Sequence, residues 1–187
     1  MLVLASRSPQ RKAILEMLGI PFEQVPAGVE EVTGGAPEQV VHENAHRKAA
    51  ALSLTEGALI LGVDTEVFLD GQVFGKAGDE DRARRHLQAL SGRKHEVFSG
   101  IALISEEGER SGVARTGVTF RDLGGGLLDW YLETGEWRDR AGAYAIQGRG
   151  AALVERIDGD YWNVVGLPVP LLLEMEPALL GDEKTSR

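Results

Sequence analysis

The chain has no cysteine among its 187 residues, which excludes disulfides and thiolate zinc sites and leaves nothing that requires an oxidising compartment. Long hydrophobic runs are also missing. No stretch approaches the ~20 apolar residues of a membrane span. The opening run Leu2-Val3-Leu4-Ala5 breaks into charge with no small-residue cleavage pattern after it, so neither a membrane anchor nor a signal peptide is expected. Positive charge is scarce: 20 Lys and Arg stand against 29 Asp and Glu, a formal net charge of −9. That balance argues against a surface that coats nucleic acid, because counterion release needs many phosphate contacts. An anionic ligand must instead be gripped by a local cluster. These absences point to a soluble, cytoplasmic protein. Its 43% hydrophobic content suffices for one core, expected as a single domain over 1–187 with a polar tail at about 182–187.

What is present is most informative at the start. Leu2 to Ala5 reads as a strand buried on both faces. Ser8 stands at a helix N-cap position with Pro9 at the first helical turn, where its missing N–H costs nothing. Ile14, Leu15 and Leu18 share one face, and Gly19 closes the helix. Free backbone N–H groups at such a start carry partial positive charge. Ser6 and Ser8 add hydroxyls, Arg7, Arg11 and Lys12 add full charges, and no acid precedes Glu16. The segment alone fits a phosphate site and an ordinary capped helix equally well.

Further along, Phe22 to Val25 reads as a strand, and Glu38 to about Leu54 as a long alanine-rich helix. Ala58 to Val63 is a second buried strand ending on Asp64-Thr65. Val67 to Leu69 and Gln72 to Phe74 flank Asp70-Gly71, a hairpin signal. Asp79 to Leu90 and Leu127 to Thr134 are helical, His95 to Ile104 and Arg115 to Phe120 strand-like. Ala141 to Gln147, Ala152 to Ile157 and Trp162 to Val165 suggest more strands, and Pro168 to Met175 a final helix. Strands and helices alternate early and strands cluster late, so an α/β fold with a mixed sheet flanked by helices is expected.

Several motifs compete for the chemistry. His42-Glu43-Asn44-Ala45-His46 matches the H-E-x-x-H zinc pattern on a helix. Arg47 and Lys48 follow at once, however, and no downstream Gly-x-x-His completes the longer version, so a solvated helix face is the better reading. Gly71 to Lys76 fails as a Walker loop, since only three residues separate the glycines and Ala77 stands where Ser or Thr is needed. Asp64 follows Leu59-Ile60-Leu61-Gly62-Val63 at the carboxyl end of a central strand, where open α/β sheets place ligands; a turn residue is the alternative. Glu30 and Glu31 form an acid pair near the end of another strand, suited to Mg²⁺ with its preference for hard oxygens, or equally to a solvated loop. Gln147 offers an amide to a base or caps a strand.

Together these segments resemble one family. The matching residues are Leu4-Ala5-Ser6-x-Ser8-Pro9-x-Arg11, Val29-Glu30-Glu31, Lys48, Gly62-x-Asp64-Thr65, Gly75-Lys76 and Ser91-Gly92-x-x-His95. They continue with Ala141-Gly142-Ala143-Tyr144-x-Ile146-Gln147-Gly148, Asp158-Gly159-Asp160-Tyr161 and Val165-Gly166-Leu167-Pro168. The chain resembles the Maf-type nucleoside triphosphate pyrophosphatases from residue 2 to about 175. The resemblance implies a bilobed fold with a central cleft, commonly in a homodimer. It also implies hydrolysis of a nucleoside triphosphate to the monophosphate and pyrophosphate with a divalent cation, Mg²⁺ or Mn²⁺. A role in clearing non-standard nucleotides and an association with cell-division arrest come with it. Carried over, Asp64 is the catalytic acid residue and a metal ligand, Glu31 helps hold the ion, and Ser6, Arg11, Lys48 and Lys76 grip the triphosphate. Thr65 and Gln147 resemble the branch acting on dTTP and UTP, whereas Gln10 departs from it, standing where that branch has Arg. The rivals are a purine pyrophosphatase of the ITP or XTP type and a division regulator that binds nucleotide without essential catalysis.

Overall fold

A computed structural model describes residues 1–53 and 55–181; the polar tail expected at 182–187 lies outside the described residues. Three strands begin the architecture: β1 (Leu2–Leu4), β2 (Phe22–Gln24) and β3 (Leu59–Leu69), with β1 parallel to both others. Helix α1 (Pro9–Met17) follows β1, capped by Ser8, whose hydroxyl accepts the Arg11 N–H. Helix α2 (Pro37–Ala50) precedes β3. It starts one residue before the expected Glu38 and stops at Ala50, with Arg47 and Lys48 in its last turn where the helix dipole favours cations.

Strand β4 (Gln72–Val73) returns on β3 as the expected hairpin, and α3 (Glu80–Leu90) follows with Asp79 as its cap. Strands β5 (Lys94–Ser105) and β6 (Gly108–Phe120) form a long antiparallel pair, and β7 (Val154–Asp158) closes the sheet edge. The sheet order is β2-β1-β3-β5-β6-β7, with β4 on β3. Helices α4 (Leu127–Glu133), α5 (Tyr161–Val165) and α6 (Val169–Met175) complete the regular elements beside two short 3₁₀ turns, Arg149–Leu153 and Pro177–Leu180. No helix among the described residues is long and apolar enough to cross a membrane. The expected mixed sheet flanked by helices is what forms.

Strand β3 organises everything else. Its odd residues Leu61 and Val63 join a cluster with Leu2, Leu4, Ile14 and Leu15, while Val67 and Leu69 join a second cluster with Leu87, Leu90, Tyr131 and Phe120. Between them, Thr65 and its register partner Ser99 form a polar seam that separates these two apolar clusters along the shared strands. On the even face, α2 lies almost in backbone contact with the sheet. A Cβ at Gly62 would sit 2.1 Å from the Ala45 carbonyl oxygen, and one at Gly100 only 2.2 Å from that of Val41. Only glycine permits this approach, which seats α2 against Asp64.

Four expectations need correction. Strand β3 does not end on Asp64-Thr65 but continues to Leu69, because β5 pairs with it through Phe68. Asp64 is therefore in mid-strand, although it lies just past the point where the β1 pairing stops, at Leu4 opposite Leu61. Ala141 to Gln147 is not a strand. Ala143 has φ of 59°, which breaks extension, and a single bridge joins Ala141 to Lys76. Trp162 to Val165 is helical, since Asp160 accepts the N–H groups of Trp162 and Asn163 and nucleates a turn that outweighs strand propensity. The Ala152 to Ile157 segment divides into a 3₁₀ turn and β7.

Candidate active site

On one edge of β3 the β1 pairing ends at Leu61 and the β4 pairing begins at Phe68. Residues 62–66 thus form a notch, with the Ser6–Ser8 loop at one end and Gly75-Lys76 at the other. Side chains alternate across this stretch, Asp64 and Glu66 toward α2, Thr65 toward α1.

On the α2 face, Asn44 and Lys48 lie one turn apart and both reach Asp64. Lys48 Nζ is 2.5 Å from Asp64 Oδ1 and 2.6 Å from Glu31 Oε1. Asn44 Nδ2 donates to Asp64 Oδ2 at 3.1 Å. Asp64 is only 4% exposed, and both its oxygens are partnered, as burial of a polar group requires. Glu31, by contrast, is half exposed, on the loop before α2. Glu66, two residues beyond Asp64 on the same face, has a buried Oε2 with no hydrogen-bond partner. Burial, reinforced by the charges of Asp64 and Glu31 and opposed by Lys48 and Lys76, pushes its carboxyl up to about 7.

On the α1 face, Arg11 is buried and its donors go to neutral oxygens. Nε donates to the Gly166 carbonyl (2.9 Å), and the two terminal nitrogens to Ser6 Oγ (3.0 Å) and Thr65 Oγ1 (3.2 Å). Burial lowers the guanidinium pKa against the attraction of Asp64, Glu31 and Glu66, yet arginine keeps its proton in proteins. Ser6 Oγ also accepts the Ser8 N–H at 3.2 Å. With both lone pairs engaged, its hydroxyl hydrogen is left to donate outward.

The sequence candidates thus divide. Ser6, Arg11, Thr65, Lys48, Asp64 and Glu31 are brought together. Lys76 is exposed at the far end of the notch, close enough to Glu66 to act on its ionisation. Gln10 turns back to Ser8, accepting its hydroxyl at 3.1 Å. Gln147 is exposed and makes no side-chain hydrogen bond among the described residues, and the Thr65 hydroxyl is engaged internally with Arg11, Ser99 and the Gly166 carbonyl. The H-E-x-x-H residues point elsewhere: His42 contacts Ser111, His46 contacts Glu109, and Glu43 pairs with Arg47. They are the solvated helix face that the charge pattern suggested.

Three participants escaped the sequence reading. Asn44 was hidden inside the H-E-x-x-H motif, although its spacing of four from Lys48 places both on one helix face. Glu66 follows from Asp64 by strand alternation once β3 is known to continue. The Gly166 carbonyl carries no side-chain signal at all.

The donor set suits a divalent cation. Asp64 and Glu31 offer hard oxygens that already share one cation, the Lys48 ammonium, and Glu66 Oε2 has no partner. Among the described residues no three Asp, Glu or His side chains converge into a ready-made cage. Mg²⁺ needs none, because it takes one or two carboxylates and completes its shell with waters and phosphate oxygens.

Chemically, the notch combines a charged guanidinium with free capacity for an anion, an outward hydroxyl donor, and a fixed carboxylate able to accept a proton. Comparisons with known proteins identify the family of the chain. The family model described as "Maf-like protein" matches residues 1–177. A dTTP/UTP pyrophosphatase of Symbiobacterium thermophilum is 46% identical over 177 residues, spanning 93% of this chain and 91% of the relative. One from Thermococcus gammatolerans is 45% identical over 187 residues, all of both chains. Among solved structures, a HAM1 protein from Coxiella burnetii aligns over 64% of this chain and 72% of its own at 21% identity, with a TM-score of 0.44. With the Maf model matching nearly the whole described chain, the protein belongs to the Maf family.

Proposed function

We propose that the protein is a nucleoside triphosphate pyrophosphatase that hydrolyses dTTP and UTP to the monophosphate and pyrophosphate. The observation that carries this reading is the Asp64 carboxylate, held at both oxygens by α2 at the edge of a notch whose other face presents Arg11 and Ser6. The names of relatives 45–46% identical over at least nine-tenths of their length support the pyrimidine preference.

Phosphoryl transfer needs in-line positioning and neutralisation of spreading charge more than a covalent nucleophile. Arg11, fixed by three neutral acceptors, grips a phosphate, and the Ser6 hydroxyl donates to a neighbouring oxygen. Lys48 and Lys76 supply point charges along the polyphosphate. Asp64 accepts the proton of the water that attacks the innermost phosphorus, and its two anchors keep it from rotating away. Asp64 and Glu31 would hold the divalent cation, Mg²⁺ or Mn²⁺, whose chemistry when bound is neutralisation of phosphate charge and acidification of water. Pyrimidine selection we assign to Gln147, which is exposed and unengaged, with Thr65 acting through Arg11. Gln10, bonded to Ser8, orients the Ser8 hydroxyl in place of adding charge.

The working form we propose is a cytoplasmic homodimer acting on free nucleotides, in keeping with a net charge of −9 that disfavours nucleic acid. The cellular role is removal of non-standard pyrimidine nucleotides, with any division arrest following from catalysis. The test is pyrophosphate release across dTTP, UTP, CTP, dATP, ITP and XTP, with and without Mg²⁺. Turnover of dTTP and UTP at least tenfold above the rest, lost on chelation, is the expected result. Preference for ITP or XTP would instead make it a purine enzyme, and binding without turnover would leave only the regulator reading.

A further inference from the structure

Two residues of α2 each hold two things at once. Lys48 joins Asp64 Oδ1 to Glu31, and Asn44 joins Asp64 Oδ2 to Val32, the very next residue of the same loop. The Asn44 arrangement is fully determined. Its Oδ1 accepts the Val32 N–H at 2.7 Å, and its Nδ2 donates to the Val32 carbonyl and to Asp64 Oδ2, each at 3.1 Å. Rotating the amide by half a turn would set NH₂ against N–H and oxygen against two acceptors, so one orientation alone is allowed. The side chain is 1% exposed, on the α2 face where Val41 and Ala45 are fully buried. A polar amide is costly there unless its bonds are made.

The two bridges differ in kind. The Lys48 bridge is ionic, and any cation or phosphate entering the notch competes for both of its ends. Asn44 carries no charge and grips the Val32 backbone at both N–H and carbonyl, so its hold on the loop persists through that exchange. The loop from Gly28 to Ala36 has no helix or strand of its own, and the Val32 bonds to Asn44 tie its backbone to α2 one residue from Glu31.

We propose that Asn44 is a positioning residue that docks the Glu31 loop onto the site and orients Asp64, so that the two carboxylates assigned to the divalent cation stand in register before it binds. This rests on the functional reading above. Groups that hydrogen-bond to ligating carboxylates and orient them typically contribute about 10–100-fold to metal affinity.

The experiment measures Mn²⁺ binding by electron paramagnetic resonance without nucleotide. It compares the wild-type protein with Asn44→Leu, which is close in volume but leaves Val32 unpartnered, and Asn44→Asp, which is isosteric but sets a carboxylate against Asp64 and the Val32 carbonyl. Both variants should bind Mn²⁺ at least about tenfold more weakly. The Mg²⁺ concentration for half-maximal rate should rise by a similar factor, and kcat at saturating Mg²⁺ should fall by less. A purely structural role would lower active protein without moving that concentration. Hydrogen exchange at the Val32 amide of the wild-type chain needs no variant: slow exchange, with and without Mn²⁺, is expected. Fast exchange at Val32, or variants with wild-type Mn²⁺ affinity while the wild type hydrolyses dTTP, would overturn this inference alone. A wild-type chain that neither binds Mn²⁺ nor turns over nucleotide would overturn it together with the functional reading.

Discussion

Arg11 and Lys48 approach the same strand from opposite faces, and they are held in opposite ways. Arg11 is bonded to a carbonyl and two hydroxyls, all neutral, so its full charge remains for a ligand. Lys48 lies between two carboxylates, so until a ligand enters and competes for it, its charge keeps them together. The contrast explains how a chain with net charge −9 can bind a polyanion. One face of β3 keeps an unneutralised cation, and the other keeps acids that a cation can bridge. Burial sharpens both effects, because charges interact more strongly where water is excluded.

The comparison breaks most visibly at Asp64. Replacing Asp64 with Asn keeps the shape and one acceptor oxygen but removes the base, and kcat for dTTP should fall by about 10³-fold or more. The thermal midpoint should fall somewhat while the fold is kept, since the new amide NH₂ must face a donor, Asn44 Nδ2 or Lys48 Nζ, that the carboxylate had satisfied. Retained turnover in a steady-state assay would mean that Asp64 is scaffolding.

Arg11→Lys tests the other face. Lysine keeps the charge but cannot reach three neutral acceptors with a planar fork. KM for dTTP should rise about tenfold or more, with a smaller change in kcat. An unchanged KM would place the phosphate grip elsewhere.

Burial with neutral partners has a different outcome for a residue that can give up its proton. His95 lies against Phe120 and contacts the Tyr144 hydroxyl, and burial lowers its pKa to about 4 from 6.5. Between those values the unfolded chain binds a proton that the folded chain refuses. Stability should therefore fall as pH drops from 6.5 to about 4, by up to about 3 kcal/mol, and this contribution should then level off. Urea midpoints across that range, compared with His95→Gln, isolate the effect, since the variant should lack this part of the slope.

The smallest effect is expected at His46, which contacts Glu109 on the far side of α2 from Asp64. His46→Ala should hydrolyse dTTP within about twofold of the wild-type rate. A large loss would revive a role for the H-E-x-x-H residues.

Much of this site was legible before any coordinates, and the reasons are local. Ser8 and Pro9 mark a helix start by capping chemistry that needs no tertiary context, and Asp64 at the end of an apolar run marks a strand end or its equivalent. The strand did not end there, because β5 supplies a partner that no local pattern reveals. Trp162 to Val165 was misread for a related reason, since an Asp160 cap two residues away outweighed β-branched propensity. Asn44 carries little local signal because an amide inside an H-E-x-x-H pattern takes its role only from the Val32 loop and Asp64, which the fold brings to it. The Gly166 carbonyl, bonded to Arg11 across 155 positions, is a backbone group whose role exists only once the chain has folded.

The central claim is that water attacks the innermost phosphorus, with Asp64 taking its proton. Hydrolysis of dTTP in ¹⁸O-enriched water reports this directly through mass analysis of the products. The account predicts one ¹⁸O atom in the thymidine monophosphate and none in the pyrophosphate. Label in the pyrophosphate, or release of orthophosphate in its place, would contradict it.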